Sequence, residues 1–446
     1  MPAANAIAAG DVAPRVTRKL RRRLIPLLFL FYVVAYLDRV NIGFAAISMN
    51  AALAITGAQF GLLIGIFFWG YFLFEIPSNL LLHKIGARIW IARILVTWGI
   101  VAMLTGMVRS VPQLYVARFL LGVAEAGFFP GIVLYLTYWF RQGEQARMIS
   151  LFVTALPVAS ILGAPVSGFL LDHAHWAGIG SWRWLLILEG LPAIVCGVLA
   201  YLFLPSRPAE AAFLTPKEKA WVAAELAREE QHKAAEHSIS ALRALAHPRV
   251  WHLALVLFTF DIALYAMSFY MPQAVQSVAS GYSNTAVGIL LMLPHLAGLA
   301  AMILVSRSSD HRQERRYHAA LPAVVGGAAL ILLSATGSRF LSITLWSFVA
   351  MGIYSFYGPF FSIPSRFLAG FSAASGIALI NSVGNLGGFV GPSAIGAFSS
   401  GSRGIYGGLT VAGVSLFVSA ALVILLPKEA TKQRGAAGSH AVEPVL

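Results

Sequence analysis

The chain has 446 residues, of which 58% are hydrophobic and only 11% charged, against about 25% charged in a soluble globular domain. That balance excludes a soluble fold and implies a polytopic membrane protein. A net charge of +14 would suit a nucleic-acid binder, but the basic residues fall in short segments between apolar runs, which excludes nucleic acid as a partner.

In chain order, a basic N-terminal tail over 1–23 carries Arg15, Arg18, Lys19, Arg21, Arg22 and Arg23. A full-length apolar span follows it, not a short apolar region with a small-residue cleavage site, so no cleavable signal is expected. Apolar runs fall at 24–46, 58–82, 89–108, 113–138, 147–171 and 183–204. A polar stretch occupies 205–248. Six more runs follow at 249–275, 285–306, 317–336, 341–362, 374–398 and 405–426, then a tail over 427–446. The pattern predicts an all-α membrane protein with twelve transmembrane helices in two six-helix bundles, 24–204 and 249–426. The single cysteine, Cys196, lies inside an apolar run, so neither a disulfide nor a cysteine-ligated metal site is expected within one chain.

Lys and Arg accumulate on one side of the predicted membrane. The tail, the segments holding Lys84 and Arg88, Arg141 and Arg147, the central stretch, the segment Arg307, Arg312, Arg315 and Arg316, then Arg366, and finally Lys428, Lys432 and Arg434 all fall there. The opposite side has Arg109, Arg183, Arg339 and Arg403. Both termini and the central stretch are therefore expected in the cytoplasm. Within that stretch Thr215-Pro216-Lys217-Glu218 reads as a helix start, with Thr as N-cap, Pro at N1 and Glu closing a capping box. The amphipathic helix after it reads as a tether between the bundles.

The informative residues are the charges inside the spans. Asp38 and Arg39 sit together in the first, roughly 20 Å along a helix within an apolar layer about 30 Å thick. Intramembrane charges usually face a bundle interior or a wet cavity. Neighbours on a helix point about 100° apart, so each should reach a different partner; Asn41, one turn from Asp38, is placed to orient it. In the fourth span Arg118 and Glu125 are two turns apart on one face, with Gly122 between them leaving room for a helix or a ligand. A carboxyl held between an apolar surround and a cation on its own face suits a group that changes protonation during a cycle. Arg118 is open to three roles: partner of Glu125, substrate ligand, or each in turn.

An internal repeat supports two related halves. LGVAEAGFFPG at 121–131 resembles MGIYSFYGPFF at 351–361, and GAPVSG at 163–168 resembles GPSAIG at 391–396. Glu125 aligns with Ser355, so the second half lacks that carboxylate. The twelve spans, together with YLDRVNIGFA, FLFEIPSNLLLHKIGAR, RFLLGVAEAGFFPG and SWRWLLILEGLPA, resemble the major facilitator superfamily and, within it, the anion:cation symporter family, which includes bacterial tartrate, galactonate, glucarate and hexuronate carriers. The resemblance implies that Asp38 and Glu125 carry protons, that Arg39 binds the substrate carboxylate, that Tyr71 donates to a substrate oxygen and that Asn385 faces the cavity. Arg118, Tyr36, Asn41, Ser362 and Tyr354 complete the candidate binding set. Arg suits carboxylate because its planar fork binds both oxygens and stays charged.

Other polar residues read as structural. Glu75 lies toward the cytoplasmic end of span two. Glu189 sits in SWRWLLILEGLPA, and His295 is a satisfied membrane histidine. HKIGAR at 83–88 and SRSSDHRQERR at 306–316 read as cytoplasmic gate loops. In span eleven Gly384, Gly387, Gly388 and Gly391 form a small-residue packing face. Tyr265 and Tyr270 read as ligands or gates. Asp261 is an unpaired acid inside span seven, either a third titrating group or the partner of an arginine across the cavity.

The expected function is proton-coupled symport of a small organic anion, a hydroxy-dicarboxylate such as tartrate or a sugar acid, across the bacterial inner membrane by alternating access. The partners are the anion, protons and the lipid bilayer, with no cofactor and a monomeric state. Aromatic-acid symport and anion exchange are the rivals within the class. A membrane-embedded enzyme is the rival outside it, and no HExxH, GxSxG or P-loop motif supports that.

Overall fold

The computed structural model describes residues 2–236, 246–364, 370–399 and 404–427. Arg243, Arg366, Arg403, Lys428, Lys432 and Arg434, which enter the charge asymmetry, lie outside the described residues, as does all of the C-terminal tail but its first residue. The described residues are helical nearly throughout, as a hydrocarbon surround demands: a backbone there must satisfy its own hydrogen bonds, and a helix does so within one segment.

In the first half the helices are α1 (Pro2–Ala52), α2 (Gly57–Ile85), α3 (Ala87–Thr105), α4 (Val111–Glu125), α5 (Phe128–Thr137), α6 (Gln142–Val153), α7 (Ala155–His173) and α8 (Ser181–Phe203). The linker carries α9 (Pro216–Glu236). The second half has α10 (Pro248–Val278), α11 (Asn284–Arg312), α12 (Arg316–Leu333), α13 (Arg339–Phe361), α14 (Gly370–Asn385), α15 (Gly387–Phe398) and α16 (Gly404–Leu425). Among the described residues, eleven helical stretches are long and apolar enough to cross a membrane, with α4–α5 and α6–α7 each counting as one. The run expected at 374–398 is divided at Leu386 into α14 and α15, of 16 and 12 residues, each shorter than the roughly 20 residues a crossing needs.

The elements depart from expectation in three places. The basic tail is not separate from the first span, because α1 is continuous through it. Val16, Leu20 and Leu24 repeat every four residues and are buried, so the apolar stripe of the span extends into the tail. The fourth span breaks after Glu125. Gly127 takes φ +82, and a side chain there would meet the Ser78 hydroxyl. The fifth breaks at Thr154 and the eleventh at Leu386, positions that are near-equivalents across the internal repeat.

Helices within each half pack on one another: α3 on α8, α2 on α4, α11 and α12 on α13, and α10 on α14 and α16. Small residues permit the close approaches. A Cβ on Gly122 would collide with the Phe67 carbonyl oxygen, so the room that Gly122 leaves on α4 is taken up by α2. Gly387 and Gly391 abut α10, while Gly388 abuts the Phe68 ring. The two halves meet along α1–α10, α2–α15 and α7–α11. At the ends remote from the N-terminus, Gly57 and Gly61 lie against Gly396 and Pro392, and Gly168 lies against Asn284. There the Asp172 carboxylate accepts from Asn284 N (3.0 Å) and Nδ2 (2.7 Å) and from Thr285 N (2.7 Å) and Oγ1 (2.6 Å). An acid of the first half thus caps a helix of the second.

At the opposite ends the linker helix is fastened to the tail. Thr215 and Glu218 form the capping box that the sequence predicts: Glu218 N donates to Thr215 Oγ1 at 3.3 Å, and Thr215 N donates to Glu218 Oε2 at 2.9 Å. Lys19 Nζ donates to the same Glu218 oxygen at 2.7 Å, and Thr17 donates to Glu144 at 2.9 Å.

Candidate functional site

The charged residues of α1 and α4 converge with side chains of α2, α3 and α10. Asp38 and Arg39 diverge as helix geometry requires. Asp38, buried, accepts from Trp98 Nε1 on α3 and from Asn41 Nδ2 at 3.1 Å. Arg39 turns the other way and donates through Nη2 to Glu125 Oε1. The Glu125 ion pair is therefore made across helices, with Arg39, and not with Arg118 two turns back on its own helix. This pair is nearly dry, the side chains being 11% and 1% exposed. Glu125 is the last residue of α4, where unpaired helix carbonyls disfavour an anion; the guanidinium offsets that placement.

Arg39 lies 5.5 Å from the ring centroids of both Phe67 and Tyr71. Arg118 is fully buried and 5.1 Å from the same Phe67 ring. Its Nε and Nη2 have no acceptor among the described residues, and an unmade hydrogen bond of a buried group costs about 1–3 kcal/mol. Both guanidiniums thus lie within cation–π reach of the one Phe67 ring, which satisfies part of each. Sequence reasoning missed Phe67 and Trp98. An indole N–H inside the third span, which needs an acceptor when buried, was the available signal for Trp98; with 29 phenylalanines in the chain, none marked Phe67.

The second half closes the site with a polar stripe on α10. Asp261, Tyr265 and Ser268 are spaced to share one face. Ser268 Oγ and Tyr36 Oη are 3.0 Å apart. The Tyr265 hydroxyl donates to Asn385 Oδ1 at 3.2 Å, and its ring lies 4.4 Å from that of Phe68 on α2. Asn385 ends α14 at the break before Leu386, which places its amide at the junction of the halves. Tyr71 thus touches Arg39 directly, whereas Tyr36 and Asn385 are tied to the α10 stripe through Ser268 and Tyr265.

Tyr354 and Ser362 sit differently. The Tyr354 hydroxyl is shared between His295 Nδ1 (2.9 Å) and Ser160 Oγ (3.5 Å), which ties α13 to α11 and α7 and satisfies the histidine. Ser362 donates to the Pro359 carbonyl at 2.7 Å just past the end of α13. Glu189 accepts from Ser167 at 2.6 Å, joining α7 to α8. Glu75 accepts from Ser382 across the halves at 3.2 Å. Among the described residues no cluster of histidine, cysteine and carboxylate side chains is disposed to hold a metal.

The family model described as Major Facilitator Superfamily matches residues 28–392. The chain belongs to the major facilitator superfamily. Relatives of this major facilitator protein extend over nearly its whole length. A protein named "Putative tartrate transporter" from Agrobacterium vitis is 42% identical over 96% of this chain and 95% of its own. The inner membrane transport protein RhmT of Escherichia coli is 35% identical over 91% of this chain and 94% of its own. Two solved structures share the fold. A D-xylose–proton symporter has a TM-score of 0.73 at 14% identity, over 92% of this chain and 99% of that one. A bacterial homologue of the lysosomal transporter Spinster, inward-facing and occupied, has a TM-score of 0.69 at 18% identity, over 91% and 96%. The protein is a multi-pass membrane transporter and not an enzyme.

Proposed function

We propose that this transporter carries a small organic anion, a hydroxy-dicarboxylate such as tartrate or a sugar acid, together with protons. The observation that carries the reading is the buried Arg39–Glu125 ion pair. An arginine paired to a carboxylate in a dry site exchanges that carboxylate for another only if the first is neutralised. Protonation of Glu125 therefore frees the Arg39 fork, and the substrate carboxylate takes the place of Glu125. Arg118, with two buried guanidinium nitrogens that have no acceptor among the described residues, adds positive potential and a second anchor. Tyr71 and Asn385 supply hydrogen bonds to substrate hydroxyls. Asp38, held by Trp98 and Asn41, is the second proton carrier.

Transport follows from rocking of two bundles, 24–204 and 249–426, about this site. The linker 205–248 and both termini lie in the cytoplasm, and the crossings number twelve, the eleventh broken at Leu386. The contacts of Asp172 and of Gly57, Gly61 and Gly168 then close the external face. The near full-length relatives from Agrobacterium vitis, whose names specify tartrate, support the substrate class. The test is uptake by proteoliposomes with an inside-alkaline pH gradient, over tartrate and sugar acids. Accumulation of one of these that collapses with a protonophore supports the proposal. Uptake indifferent to the pH gradient overturns it.

A further inference from the structure

Arg93 is an intramembrane cation that the proposed cycle does not use. It lies on α3, six residues after the helix starts at Ala87, about 9 Å along the axis. Ile89, Ile100 and Leu104 share its face of the helix and are 50%, 44% and 54% exposed, so that face of the span meets lipid. An arginine there is costly unless it finds an anion or reaches the interface. Among the described residues no carboxylate pairs with Arg93, and its buried Nε has no acceptor. Arg88, five residues earlier, differs. Its Nε donates to the Tyr201 carbonyl at 2.7 Å and its Nη2 to that of Leu202 at 3.4 Å, both in the last turn of α8, where carbonyls lack partners within their own helix.

The group that Arg93 does meet is the Trp90 ring, whose centroid lies 3.9 Å from the guanidinium carbon. That ring is fixed in turn, because its Nε1 donates to Ser78 Oγ on α2 at 3.0 Å. Stacking occupies one face of the guanidinium and leaves the N–H groups of its edge for another acceptor. Side chains on a helix lean toward its N-terminus, and Trp90 lies on that side. The guanidinium is therefore held toward the end of α3 where the apolar run begins, the depth of lipid headgroups and of interfacial tryptophans.

We propose that Trp90 and Arg93 form a binding site for the phosphate of an anionic glycerophospholipid, with an acyl chain lying along Ile100 and Leu104. The occupant is an amphiphile because the site is one: a cation without an acid, on a face that is otherwise apolar. The phosphate supplies acceptor oxygens to the guanidinium edge. A soluble anion would have to enter the apolar layer to do the same. Phosphatidylglycerol brings a net negative charge to offset Arg93, whereas the ammonium of phosphatidylethanolamine offsets its own phosphate. The site holds whichever anion the transporter carries.

The test uses phosphatidylglycerol and phosphatidylethanolamine, each carrying a photoactivatable diazirine near the glycerol end of one chain. Each is placed in turn in nanodiscs holding the full-length transporter, and the label on the peptide containing α3 is measured after illumination. Wild-type α3 should take about fivefold more label from phosphatidylglycerol than from phosphatidylethanolamine. Arg93→Leu, which suits a lipid-facing position, should bring the two within about twofold on α3, with labelling of other helices unchanged. Equal labelling of wild-type α3 by the two lipids overturns the proposal, as does an unchanged ratio in Arg93→Leu. Lys84→Leu removes an exposed cation near the same end of the span and should leave the ratio intact. A loss there as large as in Arg93→Leu would mean general attraction to a basic surface and overturns the site. Excess inorganic phosphate that abolishes the phosphatidylglycerol preference would mark an anion site open to water and overturns the lipid assignment. Should Arg93→Leu not insert, Arg93→Gln carries the same expectation and decides.

Discussion

Arg39 is held by three groups of different chemistry: the Glu125 carboxylate and the faces of Phe67 and Tyr71. A flat, delocalised cation is the only side chain that serves all three, because it stacks on rings and presents a planar fork. Arg39→Lys should therefore lose substrate binding by about tenfold or more, as expected when one charge-assisted hydrogen bond of about 1.5–3 kcal/mol goes, while the protein still folds into the membrane. Equilibrium binding of the transported anion checks this, and near-normal affinity would reduce Arg39 to a counter-charge for Glu125. The charges themselves were legible in the sequence, since an Asp, a Glu or an Arg stands out in an apolar run. Their pairing was not. Arg39 and Glu125 are 86 residues apart and Asp38 and Trp98 are 60 apart, so only the assembly of the helices of the first half decides who meets whom. Arg118 shares a face with Glu125 on paper, yet two helical turns put their side chains at different depths.

At the scale of the element, the apolar runs were plain because each is close to the length of a crossing. The breaks within them were hidden. A glycine at 127 is one of 41 in the chain, and only its positive φ distinguishes it; Leu386 carries no signal at all. Both breaks lie beside residues assigned to the site, Glu125 and Asn385, in keeping with the rule that irregular backbone at membrane depth is tolerated only inside the protein. The start of α9 was legible to the residue, because capping chemistry is local. What the capping pattern did not reveal is that Glu218 also receives Lys19 from the tail. That ammonium, then the Thr215 backbone N–H, holds the Glu218 carboxyl below its ordinary range. A carboxylate whose folded value is depressed adds stability above the ordinary carboxylate range, near pH 4.3, and loses it as pH falls through the lowered value. Glu218→Gln should therefore lower the melting temperature at pH 7, and the difference from wild type should vanish toward pH 3. Melting curves in detergent across that range check the sign, and a gap that widens on acidification would contradict it.

For the whole molecule, alternating access asks that the contacts closing one face be strong enough to close it and weak enough to break. Asp172 meets that requirement: four hydrogen bonds converge on one carboxylate between α7 and α11, at a position still reached by solvent. Asp172→Asn removes the charge that complements the α11 N-terminus and should shift the population severalfold toward the state open on that face. Distances between spin labels at the remote ends of α7 and α11 report it, and an unchanged distribution would make the cluster a static fastening. The contacts made between the halves were not legible in the sequence, since they depend on how helices far apart in the chain pack together.

The central claim is that protonation of Glu125 gates the substrate's access to Arg39, and one comparison tests it most directly. Proteoliposomes holding wild-type protein or Glu125→Gln are given the transported anion under an inside-alkaline pH gradient and, separately, in gradient-free exchange against preloaded anion. The glutamine keeps the size and hydrogen bonding of a neutral Glu125 but cannot release a proton, so the variant should exchange anion at a rate comparable to wild type and fail to concentrate it. Glu125→Gln protein that still accumulates the anion against its gradient at the wild-type rate would contradict the account.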